Sequence, residues 1–345
     1  MAERGKTLGF HNHLFYRARR GKKICAPRRA ASVHLQMRTV YAINFIMISA
    51  QGKPARVVLL LAFIFVFASP AFVSAAQQRV KVVASIPPLA DFARQVGGDK
   101  VDVALLLPPG ASPHTFEPSP RVMQEIASAR IFIKIGAGLE FWADKLIAAA
   151  NRNILLVDCS EGVDLIRDAD HDHGGLHGAD PHYWLDPVIC LKVVTRIENA
   201  LIAADPGNTA LYRKNAAAYR ERLVALDREI AASIKTFRTM EYITFHSAWN
   251  YFSRRYGLKV AGVIEESPGK EPSPRHIGAI LRALKKMKTK VVFAEPQFSP
   301  KIAEAIAREG GGRVLFLDPE GGLKGRETYI DLIRYNVSMM EKAMK

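Results

Sequence analysis

The sequence predicts an α/β protein made of two similar units, and three observations carry that prediction. Short apolar runs rich in Val, Ile and Phe alternate with segments of helical period, the rhythm of layered α/β folds. The rhythm occurs twice, once before residue 208 and once after residue 238. Between the two lies the longest helical pattern of the chain, residues 209–237, with no Gly or Pro inside it. Such a helix is about 40 Å long, as long as a domain is wide, and either packs across one unit or bridges two.

In the first unit VKVVASI (80–86) reads as a strand, residues 88–96 as a helix, and VDVALLL (101–107) as a second strand. PPGASPHTFEPSP (108–120) is too rich in Pro and Gly for helix or central strand, so it reads as a stiff loop carrying His114. Ser119-Pro120 then opens a helix, IFIKIGA (131–137) is a third strand, residues 140–150 a helix, and NILLVD (153–158) a fourth strand. A short polar loop, DADHDHGGLHG (168–178), leads into DPHYWLDP with His182, and Pro187 starts another helix. Leu211, Ala218, Leu223, Leu226, Ile230 and Ile234 form the expected buried stripe of the long helix.

The second unit repeats the pattern. YITFHS is a strand ending at His246, LKVAGVI (258–264) a second, residues 274–288 a helix, and VVFAE (291–295) a third strand. Residues 300–309 form a helix, RVLFLD (313–318) a strand ending at Asp318, and residues 329–344 a closing helix. In open α/β sheets, ligands bind beyond the carboxyl ends of strands. His246 and Asp318 stand at strand ends, and His114 and His182 stand in loops that emerge from the same side of the first unit.

The formal charge of +16 is mostly a property of the leader, because residues 1–76 hold 12 Lys/Arg against one acidic residue. The remainder is nearly balanced, so a nucleic-acid partner is not expected. Lys53 and Arg56 precede the 12-residue apolar run VVLLLAFIFVFA (57–68), and Ser74-Ala75-Ala76 offers a small-residue cleavage site. That run is shorter than the ~20 residues that span a bilayer as a helix. Residues 47–76 therefore read as a cleavable signal peptide directing the chain to a periplasm. No Cys follows the run, so no lipid anchor is expected. Residues 1–46 fit no part of such a signal and read as an upstream extension, with translation expected from Met47 or Met37. Cys159 and Cys190 are expected to be buried small residues rather than a disulfide, since spacing alone does not establish a bridge.

Three imidazoles and a carboxylate make a full set of ligands for a transition metal. His114, His182, His246 and Asp318 are therefore the candidate site. Each also has an ordinary reading: a solvated loop residue, an aromatic wall, a buried hydrogen-bonded His, a turn-capping Asp. Asp186 reads as the cap of the helix that follows it. Glu295, at a strand end, is a candidate acceptor beside the site rather than a ligand.

The stretches PHTFEPSP, GAGLEFW, DPHYWLDP, FHSAWNYF, SPGKEPSP, FAEPQFSP and LFLDPEGG, in this order, closely resemble the solute-binding proteins of ATP-driven zinc and manganese importers. The resemblance runs from about Val80 to Met344. It implies two (β/α)-type lobes joined by a single long rigid helix, with one metal between them. The implied division is an N-terminal lobe over 77–208, a linking helix over 209–237 and a C-terminal lobe over 238–345. It also implies ligands at His114, His182, His246 and Asp318, a membrane permease as partner, and a monomeric carrier that is not an enzyme. A histidine at the third position points within that family to zinc; manganese or iron is the alternative, since Mn²⁺ prefers more oxygen donors. Some zinc relatives carry Glu just before the first His; here Pro113 stands there, which leaves Asp318 as the fourth ligand, with water as the fallback. His171, His173 and His177 resemble the His-rich accessory zinc loop of some members, and a plain solvated loop is the competing reading. A zinc hydrolase with Glu295 as base is a further alternative, though no HExxH, nucleophile elbow or phosphate loop is present. An adhesin or surface metal sensor would need an anchor or partner domain that the sequence does not show.

Overall fold

The structure, a computed structural model, describes residues 79–151, 153–167 and 178–345. The upstream extension, the signal peptide and the loop histidines His171, His173 and His177 lie outside the described residues. Two four-stranded, all-parallel sheets organise the rest. Strands β1 (Val80–Ala84), β2 (Val101–Leu105), β3 (Ile131–Lys134) and β4 (Leu155–Asp158) form the first, in the order β2-β1-β3-β4. Strands β5 (Glu241–His246), β6 (Lys259–Glu265), β7 (Val291–Ala294) and β8 (Arg313–Phe316) form the second, in the order β6-β5-β7-β8. The two lobes thus repeat one topology.

Parallel strands are covered on both faces, which demands apolar runs rather than alternation. β7 is VVFA with every residue buried, and β1 exposes only Lys81. Where β5 pairs with β6 the register slips, so that Ile243 stands opposite Gly262. A Cβ at Gly262 would come within 2.8 Å of the Ile280 side chain, so the glycine lets helix and sheet pack closely there.

Nine α-helices cover the sheets in the described residues: α1 (Pro87–Gly97), α2 (Pro120–Ser128), α3 (Ala143–Ala150), α4 (Cys190–Ala204), α5 (Thr209–Ile234), α6 (Asn250–Tyr256), α7 (Pro274–Lys286), α8 (Lys301–Gly310) and α9 (Tyr329–Met344). Their ends follow local chemistry. Proline opens α1, α2 and α7. Ser273 and Thr328 cap α7 and α9 by accepting the His276 and Asp331 N–H groups. α6 and α8 end on left-handed Gly257 and Gly311.

The long helix α5 has 26 residues, which makes it about 39 Å long. It links the two lobes and lies against α1, α4 and α9. Its buried stripe is Tyr212, Ala216, Tyr219, Leu223, Leu226, Ile230 and Ile234. The N-terminal half differs from the expected one: Ala218 is exposed and Leu211 only partly buried. The two tyrosines take over because their rings reach the core while their hydroxyls bond carboxylates, Tyr212 to Asp205 at 2.7 Å and Tyr219 to Asp91 at 3.0 Å.

One hydrophobic core runs through both lobes. Val82, Ile133 and Trp184 of the first belong to the same buried cluster as Tyr242, Trp249, Phe293 and Leu317 of the second. The closing helix α9 returns to the first lobe, where the Tyr329 N–H donates to Asp91 and its ring meets Phe92 edge-on. β8 ends at Phe316, two residues short of Asp318, which stands in the loop beyond. Cys159 and Cys190 are buried, free thiols.

Candidate metal centre

His246 is the last residue of β5, the first-laid strand of the second sheet, and Glu295 directly follows its neighbour β7. They face each other at the point where the strand order of the sheet reverses. The imidazole Nδ1 of His246 lies 2.6 Å from Glu295 Oε2, and the carboxylate also takes the His246 backbone N–H at 3.4 Å. Glu295 is fully buried. A carboxylate in that position holds the proton on Nδ1 and turns the Nε2 lone pair outward.

His182 is set the same way from the other lobe. It begins a 3₁₀ turn, His182–Leu185, beneath Trp184. Its Nδ1 lies 2.8 Å from Asp180 Oδ1, which also accepts the His182 backbone N–H. Asp180 is itself fixed by the second lobe. Asn250 donates to Asp180 Oδ2 at 3.0 Å, and the Tyr251 hydroxyl donates to the Asp180 carbonyl at 2.8 Å. Asn250 opens the helix that follows His246, so a single segment positions both imidazoles. Trp184 in turn donates to the Pro319 carbonyl across the lobes. Asp186 caps the next turn by accepting the Val188 N–H at 2.8 Å.

His114 comes from the Pro-rich loop after β2 and is half-buried. Its Nε2 lies 3.0 Å from His182 Nε2, and His246 Nε2 lies 3.2 Å from that same atom. The ligand atoms of all three imidazoles fall within 4.8 Å of one another, the one such group of His, Cys, Asp or Glu among the described residues. With Nδ1 of His182 and His246 donating to carboxylates, their Nε2 atoms present lone pairs, and converging lone pairs call for a cation. The spacing suits the chemistry: two tetrahedral Zn–N bonds of ~2.0–2.1 Å put their nitrogens about 3.3 Å apart.

Asp318 is outside that group. It is fully buried, and its carboxylate is occupied on both sides. Oδ1 accepts from Gln297 Nε2 at 2.8 Å and from the Glu320 and Gly321 backbone N–H groups at 3.0 Å each, while Oδ2 pairs with Arg326 Nη1 at 3.0 Å. Nearby Glu320 is buried, and burial followed by the charge of Asp318 pushes its carboxyl well above the ordinary range. Sequence reasoning anticipated Glu295 as an acceptor but missed Asp180, Asn250, Gln297 and Arg326. Asp180 was legible as a carboxylate two residues before His182, held there by Pro181. Arg326 carried no local signal, because it reaches Asp318 only through a loop with left-handed glycines at 321, 322 and 325.

Comparison with known proteins places the chain among metal-uptake components. Residues 82–343 match the family model described as ZnuA, zinc-uptake complex component A, periplasmic. The chain is 31% identical over 281 residues to the zinc-binding lipoprotein AdcA of Streptococcus pneumoniae, a match covering 77% of this chain and 56% of AdcA. It therefore spans little more than half of that relative. Against the high-affinity zinc uptake system protein ZnuA of Bacillus subtilis it is 31% identical over 280 residues, covering 77% of this chain and 88% of the other. A crystal structure of ZnuA superposes with a TM-score of 0.71 at 32% identity, covering 78% of this chain and all of that one.

Proposed function

Because the chain belongs to the family of periplasmic zinc-uptake component A proteins, we propose that it captures Zn²⁺ outside the cytoplasm and hands it to the permease of an ABC importer. The observation that carries this reading is the convergence of three Nε2 atoms, two of them turned by buried carboxylates. An uptake component carries its cargo and does not convert it, so the chain is not an enzyme. In this reading His114, His182 and His246 are the zinc ligands, and Asp318 or a water completes the shell. Three imidazole nitrogens favour borderline Zn²⁺ over Mn²⁺, which prefers oxygen. Neutral imidazoles are required, so a proton and the metal exclude each other at the three Nε2 atoms.

The shared core and the long helix α5 support capture by small local movements rather than by wide hinge closure. The proposal includes the division into lobes 77–208 and 238–345 joined by 209–237. It includes export by a signal peptide over 47–76, a free monomer without a lipid anchor, and His171, His173 and His177 as a weak accessory zinc loop.

The deciding experiment is metal analysis and competitive titration of residues 77–345. Tight one-to-one Zn²⁺ binding is expected, and a preference for Mn²⁺ would overturn the zinc assignment. Mass analysis of the exported protein should find a mature terminus near Gln77. Deleting residues 170–177 should slow uptake only at limiting zinc.

A further inference from the structure

Asp318 poses a problem that the three histidines do not. Its backbone is fixed, because buried Asn336 accepts the Asp318 N–H at 2.7 Å and donates to the Asp318 carbonyl at 2.7 Å. Only the side chain is left to turn. Of the donors around its carboxylate, three are neutral amides and one is a guanidinium. The carboxylate is fully buried and the Arg326 side chain 16% exposed, so little solvent screens the pair. Arg326 is itself anchored. Its ring-face contact puts the guanidinium carbon 4.3 Å from the Tyr335 centroid, and its backbone closes the loop through Gly322 N–H to Arg326 carbonyl at 2.8 Å. Its Nε is buried and meets no acceptor among the described residues. Asp318 is thus the carboxylate that neutralises Arg326, and it neighbours the proposed site: Gln297, two residues after the Glu295 that meets His246, donates to its carboxylate, and Trp184, two residues after His182, donates to the carbonyl of the next residue, Pro319.

We infer that Arg326 is an affinity-setting residue of the zinc site: it holds the Asp318 carboxylate as a resident counter-cation, and zinc must compete with it for that charge. The inference rests on the zinc-binding reading above. Two cations drawing on one buried carboxylate repel each other, whether Asp318 turns onto the metal or only faces it through water. The competition tempers the affinity of three well-oriented imidazoles and leaves Asp318 a partner to return to when zinc departs. Charge rather than shape makes the difference, so a neutral side chain of similar reach should remove it.

The test is a double-mutant cycle on residues 77–345, with Zn²⁺ as the probe, read by chelator competition and by the zinc-induced shift in melting temperature. Arg326→Gln should bind Zn²⁺ about tenfold more tightly, within the usual span of coupling between sites. It should also show a larger zinc-induced shift. In the Asp318→Asn background the same substitution should change nothing. Unchanged or weaker binding by folded Arg326→Gln overturns the inference. So does an equal gain in the Asp318→Asn background, which would mean a general field effect. If Arg326→Gln fails to fold, Arg326→Lys is read instead: it keeps the charge but shortens the reach, and a gain of smaller size dependent on Asp318 is expected. Failure of the parent protein to bind Zn²⁺ would break the functional reading, and is seen before any variant is made.

Discussion

Between β1 and β3 of the first sheet a serine meets a glutamate; between β5 and β7 of the second, a histidine meets one. The two sheets have the same strand order, and both pairs lie beyond the carboxyl ends of the two central strands, Glu295 directly after β7 and Glu140 six residues past β3 but bonded back to its end. In the first lobe Ser85 Oγ donates to Glu140 at 2.5 Å, and Glu140 also accepts the Ile135 and Gly136 N–H groups. Every contact there ends on the protein itself, so the switch point is locked shut. In the second lobe Glu295 grips only one edge of His246 and leaves the other edge facing the cleft. The first lobe offers its candidate ligands from loops instead, after β2 and after β4. One fold, repeated, therefore holds a structural carboxylate in one copy and an orienting carboxylate in the other.

The largest expected effect breaks the functional copy outright. His246→Ala removes a proposed ligand, and its loss of zinc affinity should exceed the 10–100-fold typical of losing an orienting partner. Competitive titration measures it, and retained affinity would remove the second lobe from the site. Next come the orienting carboxylates. Glu295→Gln and Asp180→Asn should each weaken zinc binding about 10–100-fold, because each imidazole exchanges a charged carboxylate partner for a neutral amide that raises its basicity less and fixes its tautomer less firmly. The comparison predicts that Glu140→Gln, the matching change in the other copy, leaves zinc affinity where it was.

Glu140→Gln should act on stability instead. A glutamine supplies one acceptor oxygen and presents an amide to a backbone N–H, leaving a buried donor unpaired at about 1–3 kcal/mol. The cost should depend on pH. Burial raises the Glu140 carboxyl above its ordinary value despite its three hydrogen bonds. The folded state therefore keeps a proton that the unfolded state releases above about pH 4.5, and wild-type stability falls as pH rises from there through the raised value. Glutamine does not titrate, so the gap between wild type and variant should narrow with rising pH in denaturant melts. A gap that widens would mean that Glu140 folds as a favoured anion.

Much of this arrangement was legible in the residues. Apolar runs as continuous as VVFA and YITFH admit few readings other than covered parallel strands, and the run without Gly or Pro after Asn208 had to be a long helix. Three histidines beyond strand ends pointed to one cleft. The failures have physical causes. Ala218 has helical spacing but no bulk, so tyrosines with hydroxyl partners displaced it from the core. The guanidinium on Asp318 went unseen because residue type alone points to a metal and says nothing of a competing Arg eight residues on. Asn250 was invisible as a contributor because its effect passes through Asp180, 70 residues away, to a histidine on the other lobe.

The smallest effect concerns the thiols, both in the first lobe. Cys190 donates to the Trp184 carbonyl at 3.2 Å, two residues from His182, while Cys159 follows β4. Alkylation needs the thiolate. Burial pushes both thiols well up, Cys159 further by the charge of nearby Glu140 and Asp158. Iodoacetamide at pH 8 should therefore label neither in folded residues 77–345, and two thiols should react after unfolding without reductant. Fewer than two would mean that the chain pairs them in an oxidising compartment, contrary to the free thiols seen here. Because Cys190 is bonded to the turn that carries His182, zinc should slow its residual labelling more than that of Cys159. Equal slowing would mean that zinc stabilises the lobe as a whole rather than the turn.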